Sequence, residues 1–252
     1  MGWLRCRGMS DTLVINEIYL SLQGESTFAG LPCIFIRLTA CNLRCSYCDT
    51  AYAFTEGKKI SLSEIRAEVE RLAKPYAGQA GIVRLPIVEL TGGEPLLQPR
   101  SLGLMRSLCD DGFSVLLETS GAHDIEPVDP RVRRIMDLKC PGSGEVLRNR
   151  WPNLKHLRGT DELKFVIGTH EDYEWAKQKL REHGLAAVCP ILFSWVAPLV
   201  SEQQDKSLKK VPPGQTPLSR LELAERVIAD ALPVRFQVQM HKIIWSAAAR
   251  GV

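Results

Sequence analysis

The sequence has no long hydrophobic run and little excess of one charge. Its 252 residues carry 32 Lys and Arg against 29 Asp and Glu, which gives a formal net charge of +3. No apolar stretch approaches the roughly 18 residues that a membrane-spanning helix requires, and the longest, such as Ala186–Phe193, are as short as a strand. Binding to nucleic acid normally needs clustered Lys and Arg. We therefore expect neither a membrane nor a nucleic acid as a partner.

A secretory signal is also missing. Residues 1–8 contain no apolar core and no small-residue cleavage site. We therefore expect a cytoplasmic protein whose first residue is Met1 or Met9, with residues 1–8 as an upstream extension in the second case. Disulfides are rare in a reducing compartment, so the eight cysteines are expected to be free thiols or metal ligands.

The rest of the composition is that of a globular protein, with 45% hydrophobic and 24% charged residues. A length near 250 residues fits one large α/β domain, and we assign residues 1–252 to a single domain. Short apolar runs alternate with amphipathic stretches, which indicates βα units and a largely parallel sheet. The predicted strands are Leu13–Leu20, Cys33–Leu38, Ile87–Leu90, Ser114–Glu118, Ile135–Leu138, Glu162–Val166, Ala187–Leu192 and Arg235–Gln239.

Helices are predicted from capping signals and hydrophobic spacing. Ser61 followed by Glu64 is a capping-box pattern, and Thr216 followed by Pro217 is typical of a helix start. The predicted helices are Ser61–Lys74, Gln98–Cys109, Thr169–Glu182 and Thr216–Asp230. Before the last of these, Ser201–Gln215 carries three lysines, two prolines and a glycine. Such a segment fits a surface loop, and also a lid or a subunit contact.

The strongest chemical signal is a group of three closely spaced cysteines. Cys41, Cys45 and Cys48 follow a C-x3-C-x2-C spacing directly after a predicted strand, so the thiols lie beyond its carboxyl end, where α/β folds bind ligands. Thiolates suit zinc or iron–sulfur clusters. Structural zinc usually needs four protein ligands, and no second cysteine pair or nearby His completes such a set. A cluster with three protein ligands and one open iron is therefore favoured over zinc and over unrelated core cysteines.

At these cysteines the sequence resembles the radical S-adenosylmethionine (SAM) superfamily, whose signature has the same spacing. The resemblance implies an α/β fold, a truncated (β/α)6-like partial TIM barrel, with a 4Fe–4S cluster whose open iron binds the amine and carboxylate of SAM. It also implies that the reduced cluster cleaves SAM and that a 5′-deoxyadenosyl radical then abstracts hydrogen from the substrate. An external electron donor of the flavodoxin or ferredoxin type would supply the electron.

A second motif, Thr-Gly-Gly-Glu-Pro at residues 91–95, follows the predicted strand Ile87–Leu90. Its glycines permit close approach of the backbone to a ligand, and its glutamate offers a carboxylate to a cationic amine. Alone, such a motif is often a plain turn. It nevertheless resembles the superfamily segment that holds the amino group of SAM, and the cleft would continue at the next strand ends. By this resemblance the residues toward SAM are Gly92, Gly93, Glu94, Ser120 and Lys139.

Three further features narrow the choice within the superfamily. Gln23 and Glu25 follow the first strand, Arg37 ends the second, and Thr50 lies two residues after the last cysteine. A buried arginine suits recognition of a carboxylate. Gln23 and Glu25 offer donors and acceptors to the edge of a guanine-like or pterin-like ring, although Gln-Gly-Glu is also common in polar turns. In combination these features resemble the 7-carboxy-7-deazaguanine synthase family over residues 13–245.

That resemblance implies a carbon–nitrogen lyase of queuosine and 7-deazapurine biosynthesis. Its substrate, 6-carboxy-5,6,7,8-tetrahydropterin, would undergo ring contraction with loss of ammonia. The family also implies a homodimer and a Mg2+ ion that Thr50 and the substrate carboxylate hold, whereas residues 195–215 form an insertion relative to shorter members. The residues expected to contact substrate are Leu22, Gln23, Gly24, Glu25, Arg37, Thr91, Gln239 and His241.

Two alternatives remain open at the level of sequence. An activase that installs a glycyl radical on a partner protein shares the three-cysteine spacing, but it does not need Arg37 and Thr50 around a small acidic heterocycle. A non-enzymatic metal or redox module would carry zinc or a closed cluster at the same three cysteines.

Overall fold

The computed structural model describes residues 11–78 and 84–252, so the predictions for residues 1–8 and Met9 lie outside the described residues. Within these described residues, nine strands form one sheet in the order β3-β1-β2-β4-β5-β6-β7-β8-β9. Their bounds are β1 Thr12–Leu22, β2 Pro32–Leu38, β3 Lys58–Ser61, β4 Ile87–Gly92, β5 Val115–Thr119, β6 Arg133–Asp137, β7 Glu162–Ile167, β8 Ile191–Trp195 and β9 Arg235–Gln237. The α-helices are α1 Leu62–Ala73, α2 Ser101–Asp110, α3 His170–Glu182, α4 Arg220–Ala229 and α5 His241–Ile244.

The pairing of the strands makes this an open, partial barrel. β1 is antiparallel to β2 and β3, whereas every pair from β2–β4 to β8–β9 is parallel. Parallel strands end at the same edge of a sheet, so the loops that follow them converge there. Among the described residues, no helix is both apolar enough and long enough to cross a membrane.

The side chains on the inner face of the sheet change from apolar to polar along each strand. On β4, Ile87 belongs to a small apolar cluster with Leu116 of β5, and two residues further along each strand lie Glu89 and Glu118. Because side chains alternate along a strand, these residues share one face, while Val88 and other alternate residues pack in the large core against the helices. The inner face of the sheet is therefore filled with apolar side chains near the start of these strands and lined with polar side chains near their carboxyl ends.

Two boundary predictions were wrong. The predicted strand Ala187–Leu192 starts at Ile191, because Leu185–Ala187 forms a 3-10 turn and the strand follows Pro190. The predicted helix at Thr216 starts after Ser219, whose hydroxyl accepts a 3.2 Å hydrogen bond from the Glu222 N–H. Pro217 instead pairs with Thr169 in an isolated bridge.

Smaller differences have similar local causes. The edge strand β3 was not predicted, because its sequence Lys-Lys-Ile-Ser is half charged. The helix predicted from Gln98 begins at Ser101. Gln98 instead uses its side-chain amide to join the backbones of Val14 and Thr39, through hydrogen bonds of 2.8 to 3.0 Å. This amide ties the end of β2 to the segment that follows β4.

Candidate active site

A cavity of about 510 Å³ opens at the carboxyl edge of the parallel strands. The cysteine loop forms one part of its wall, and charged residues from β4 to β7 form another. Except for Glu94, every predicted site residue lines it: Leu22, Gln23, Gly24, Glu25, Arg37, Cys41, Cys45, Cys48, Thr50, Thr91, Gly92, Gly93, Ser120, Lys139, Gln239 and His241. Residues that were predicted from widely separated parts of the sequence therefore meet in one place.

The three cysteines of the loop are free thiols in a largely buried setting. The Cys41 sulfur accepts a 3.4 Å hydrogen bond from the Leu43 N–H, and the Cys48 N–H donates to the Cys45 carbonyl over 3.2 Å. Burial raises the pKa of all three thiols, that of Cys45 to about 12. Thiolates that bind metal must be deprotonated, so these ligands need a compensating positive charge of the kind that an iron cluster brings.

The three thiols are not gathered around a single point. Tetrahedral zinc with bonds of about 2.3 Å holds its sulfur ligands roughly 4 Å apart. In the described part of the chain, the His, Cys, Asp or Glu side chains whose ligand atoms approach one another within 4.8 Å as a group of three are Asp124, Glu126 and His156. The three thiols do not form such a group, so they do not stand in the arrangement of zinc ligands.

Polar groups beside the thiols fit a polar ligand. Lys139 donates a 2.7 Å hydrogen bond to Asp137. Burial alone would lower the pKa of Lys139, but Asp137 and the Cys45 thiol raise it well above its usual range, so the ammonium stays charged. The second Asp137 oxygen and the Tyr47 hydroxyl are buried without a hydrogen-bond partner. Buried polar atoms normally have hydrogen-bond partners, and both residues line the cavity. A polar ligand such as SAM would supply the missing partners.

The glycines of the Gly-Gly segment line the cavity and also have a structural task that was not predicted. They permit the close approach of the cysteine-loop backbone. Gly92 has a φ of +130°, and a Cβ at Gly92 or Gly93 would collide with the backbone of Leu38 or Ala40. The Gly93 N–H donates to the Leu38 carbonyl over 3.0 Å, and the Glu94 N–H to the Ala40 carbonyl over 2.9 Å. The motif therefore fastens the end of β4 to the start of the cysteine loop.

Glu94 also has a different position from the one expected. Its fully buried carboxylate accepts hydrogen bonds from the Thr119 hydroxyl at 2.9 Å and from the Ser120 N–H and hydroxyl at 2.8 and 2.6 Å. The Leu96 N–H donates to the same carboxylate over 3.0 Å. With these donors, Glu94 joins the ends of β4 and β5 and lies behind the cavity wall. Ser120, which lines the cavity, is held by this contact.

The floor of the cavity contains a chain of charged groups. The buried Lys164 ammonium of β7 contacts Glu25 at 3.0 Å and also Glu118. Burial would raise the pKa of Glu25, but Lys164 and then His241 outweigh it and lower the pKa. Gln23 donates through its side-chain amide to Glu89 and accepts a 2.8 Å hydrogen bond from the Glu25 N–H. The Gln23 side chain is therefore fixed by its neighbours.

Arg37 stands at the side of the cavity between two tyrosines. Its guanidinium donates to Glu17 over 2.7 Å and to the Tyr19 hydroxyl over 2.8 Å, and it lies 5.9 Å from the ring centres of Tyr19 and Tyr52. Tyr52 donates to the same Glu17 oxygen over 2.9 Å. Arg37 also lines the cavity, and arginine suits the recognition of a carboxylate.

The last residues of the chain close the cavity. A Cβ at Gly24 would lie 2.5 Å from the His241 Nδ1, so glycine at this position makes room for the imidazole. The Gln239 amide donates to Glu25 at 3.0 Å and to Asp49 at 3.2 Å. Asp49 also forms a 2.6 Å ion pair with Lys242. Thr50, next in sequence, has its hydroxyl 3.8 Å from the Cys48 sulfur.

Residues 195–215 contact both the cysteine loop and the chain end. Trp195 is the last residue of β8 and donates to the Leu218 carbonyl over 3.0 Å. The Gln203 amide donates to the Ala247 carbonyl over 2.7 Å. The Lys209 N–H donates to the Arg44 carbonyl over 2.9 Å, and its ammonium pairs with Glu145 at 2.9 Å. Because residues 202–205 line the cavity, these contacts favour the lid hypothesis over a detached surface loop.

Sequence reasoning missed several polar residues in or beside the cavity. Glu89 and Lys164 lie inside predicted strands and were treated as strand residues, and Glu17 and Tyr19 lie in β1. A usable signal was present, because a charged residue inside an apolar parallel strand needs a special partner. The partners themselves come from distant strands and could not be read from the sequence.

Comparison with known proteins agrees with this geometry. A profile of the Radical SAM superfamily matches residues 35–193. A 7-carboxy-7-deazaguanine synthase of Koribacter versatilis is 45% identical over 94% of this chain and 99% of its own length. That of Chlorobaculum tepidum is 40% identical over 95% and 97%. The fold is similar to the crystal structure of QueE from Escherichia coli, with a TM-score of 0.62 and 24% identity over 91% of this chain and 95% of that one.

Proposed function

The chain belongs to the radical SAM superfamily and, within it, to the 7-carboxy-7-deazaguanine synthase family, and on that premise we propose that it converts 6-carboxy-5,6,7,8-tetrahydropterin into 7-carboxy-7-deazaguanine with loss of ammonia. This carbon–nitrogen lyase reaction belongs to queuosine and 7-deazapurine biosynthesis. The observation that carries the proposal is that the three thiols and Arg37 open onto one cavity. A cluster held by these thiols would therefore supply its radical beside Arg37, where the carboxylate of the substrate would bind.

The proposal assigns the cluster to Cys41, Cys45 and Cys48, and the methionyl end of SAM to Gly92 and Gly93. When bound, the cluster and SAM supply a 5′-deoxyadenosyl radical that removes hydrogen from the substrate. Burial raises the pKa of the Cys41 and Cys45 thiols, and the charge of Lys139 acts against it, which lowers the cost of holding them as thiolates. Ser120 and the partnerless oxygen of Asp137 are available to the polar groups of SAM. The protein's part is to hold these reactants together and to exclude water.

For the substrate, we assign the carboxylate to Arg37 and the heterocycle to the residues around the cavity floor. Glu25 and Glu118 are carboxylates that can accept hydrogen bonds from ring and amino N–H groups. Lys164 lies between them and contacts each carboxylate. The other residues that we assign to the substrate are Leu22, Gln23, Gly24, Thr91, Gln239 and His241.

We assign a Mg2+ ion to Thr50, whose hydroxyl is a hard oxygen ligand that suits this metal. The neighbouring Asp49 carboxylate is already neutralised by Lys242 at 2.6 Å, so the protein offers little negative charge to the ion. The substrate carboxylate must therefore complete the site. Titration of Mg2+ should give tight binding with the carboxytetrahydropterin present and weak binding without it. Equal affinity in both cases would contradict the assignment.

One experiment tests the reaction as a whole. The protein is reconstituted anaerobically with iron and sulfide and incubated with SAM, Mg2+, a reductant and 6-carboxy-5,6,7,8-tetrahydropterin. We expect mass detection of 7-carboxy-7-deazaguanine with no lasting consumption of SAM. Release of 5′-deoxyadenosine without that product would reject the lyase and favour an activase that acts on a partner protein.

The proposal extends to the protein's surroundings. We propose a cytoplasmic homodimer that receives its electron from a flavodoxin-like or ferredoxin-like protein, as the family implies. Light scattering coupled to size exclusion tests the dimer. Replacing the chemical reductant with a reduced flavodoxin or ferredoxin in the assay above tests the donor.

A further inference from the structure

Glu89, a residue that the proposed chemistry does not use, lies at the centre of the cavity floor. It is on β4 and 1% exposed, and it lies in the cavity wall between Gln23 and Glu118. One of its oxygens accepts the hydrogen bond from the Gln23 amide. Glu118 of β5 lies on the same face of the sheet, two residues beyond Leu116, the residue that pairs with Glu89, and both glutamates line the cavity. Two neighbouring ionised carboxylates repel each other, and burial penalises the charge of Glu89, so one of the pair carries a proton.

The surroundings decide which carboxyl holds the proton. Glu118 has the Lys164 ammonium as its direct partner, and Lys164 also contacts Glu25. Glu89 accepts its hydrogen bond from the neutral Gln23 amide instead. The ammonium therefore stabilises negative charge on Glu118, and the proton resides on Glu89.

The other neighbours of Glu89 do not change this assignment. Cys33 on β2 and Tyr19 on β1 also face it, and burial raises the pKa of both groups, that of Tyr19 to about 12. Both are neutral near pH 7. Burial is the largest effect on Glu89 and raises its pKa well above the usual range. The charges of Glu118 and Glu25 also raise this pKa, whereas the charge of Lys164 lowers it.

We propose that Glu89 is a positioning residue that acts as a neutral acid, donating its proton to a hydrogen bond with Glu118 while accepting one from Gln23. This inference rests on the proposed function, because Gln23 and Glu118 are two of the groups that would meet the heterocycle. Glu89 orients the Gln23 amide, whose oxygen then accepts from the Glu25 N–H at 2.8 Å. Three substrate-facing groups thus depend on one buried proton.

The sign of the pH dependence follows from this arrangement. Glu89 keeps its proton below its raised pKa, so the network is intact at neutral pH. When the pH rises through that pKa, Glu89 becomes a second carboxylate against Glu118, and the two repel each other. The kcat/KM for the carboxytetrahydropterin should therefore fall on the alkaline side.

Two substitutions separate positioning from a merely structural role. In Glu89→Gln the amide can donate to Glu118 and accept from Gln23, but it does not titrate. In Glu89→Leu the Gln23 amide loses its partner, and we expect kcat/KM at neutral pH to fall by about tenfold or more, chiefly through KM. Glu89→Gln should restore most of that loss and should lack the alkaline fall. An alkaline fall in Glu89→Gln as steep as in the wild type would overturn the inference.

Glu162→Gln is the matched control, because Glu162 is a buried glutamate of β7 outside the cavity, bonded to Thr27. Its pH profile should match that of the wild type. A measurement without turnover keeps the inference separate from the proposed function. The infrared difference spectrum of substrate-free wild type minus Glu89→Gln should contain the C=O stretch of a neutral carboxyl at pH 7. Absence of that band would overturn the inference, whereas absence of deazaguanine from wild type would reject only the proposed function.

Discussion

The Nε of Arg37 lies 2.7 Å from Oε1 of Glu17, and the same oxygen accepts the Tyr52 hydroxyl at 2.9 Å. Glu17 thus fixes the guanidinium of Arg37, a residue that lines the cavity. If Arg37 binds the substrate carboxylate, Glu17→Gln should raise KM about tenfold with little change in kcat. The reason is that a hydrogen bond to a charged group contributes about 1.5–3 kcal/mol, and 1.4 kcal/mol is a factor of ten.

Steady-state kinetics with the carboxytetrahydropterin would measure this effect. Glu68→Gln is the control, because Glu68 makes an equally short pair with Arg71 on the exposed face of α1. An unchanged KM in Glu17→Gln would mean that Arg37 needs no support from Glu17.

Gly93→Ala should disrupt the cysteine loop. A methyl group at this position would collide with the Ala40 carbonyl, one residue before Cys41, and backbone atoms cannot move aside as a flexible side chain can. We expect a lower melting temperature and less iron per chain after reconstitution. The control is Gly103→Ala in α2, where the nearest atom would be 4.0 Å away and alanine favours the helix by about 0.5–1 kcal/mol. Full iron content in Gly93→Ala would refute the close-packing argument.

Cys45→Ala should lose the cluster. Three protein ligands are the fewest that can hold a cubane with one open iron, so removal of one leaves two. Iron and sulfide analysis should fall well below four irons per chain, and the brown absorbance should fade. Cys109→Ala, which removes a half-buried thiol of α2, should keep both. A Cys45→Ala protein with a full cluster that still cleaves SAM would contradict the ligand assignment.

The fold and the position of the site were largely predictable from the sequence, because both depend on local signals. The capping box at Ser61 and Glu64 is present, with a 3.2 Å hydrogen bond from the Glu64 N–H to the Ser61 hydroxyl. The apolar runs became parallel strands that end at one edge. The C-x3-C-x2-C spacing follows β2 directly, so its place at that edge was fixed by the strand that precedes it.

The contacts inside the site were not predictable, because they join residues that are far apart in sequence. Glu89 and Gln23 are separated by 66 positions, and Lys164 and Glu25 by 139. A single sequence reveals that Glu89 is an ionisable residue in a strand, but not which side chains surround it. Glu94 shows the same limit. Its motif was recognised, but its partners Thr119 and Ser120 depend on the register of β4 against β5.

A buried ion pair away from the cavity permits a prediction about stability. Arg134 and Asp161 are 4% and 0% exposed and lie 2.5 Å apart. Removing one partner of a buried pair leaves the other charge uncompensated, which typically costs about 3–5 kcal/mol. Asp161→Asn should therefore lower the free energy of unfolding by about that amount in urea titrations. Asp124→Asn, which breaks an exposed pair with Arg150, should cost less than about 1 kcal/mol.

The same pair determines how stability responds to acid. Burial would raise the pKa of Asp161, but its hydrogen bonds with Arg134 outweigh burial and lower it. A folded-state pKa below that of the unfolded chain gives stability that is complete above about pH 4 and is lost as the pH falls through the folded value. The wild type should therefore lose its advantage over Asp161→Asn as urea titrations are repeated at lower pH. A difference in unfolding free energy that stays constant down to the acid transition would show that the carboxylate charge of Asp161 does not stabilise the fold.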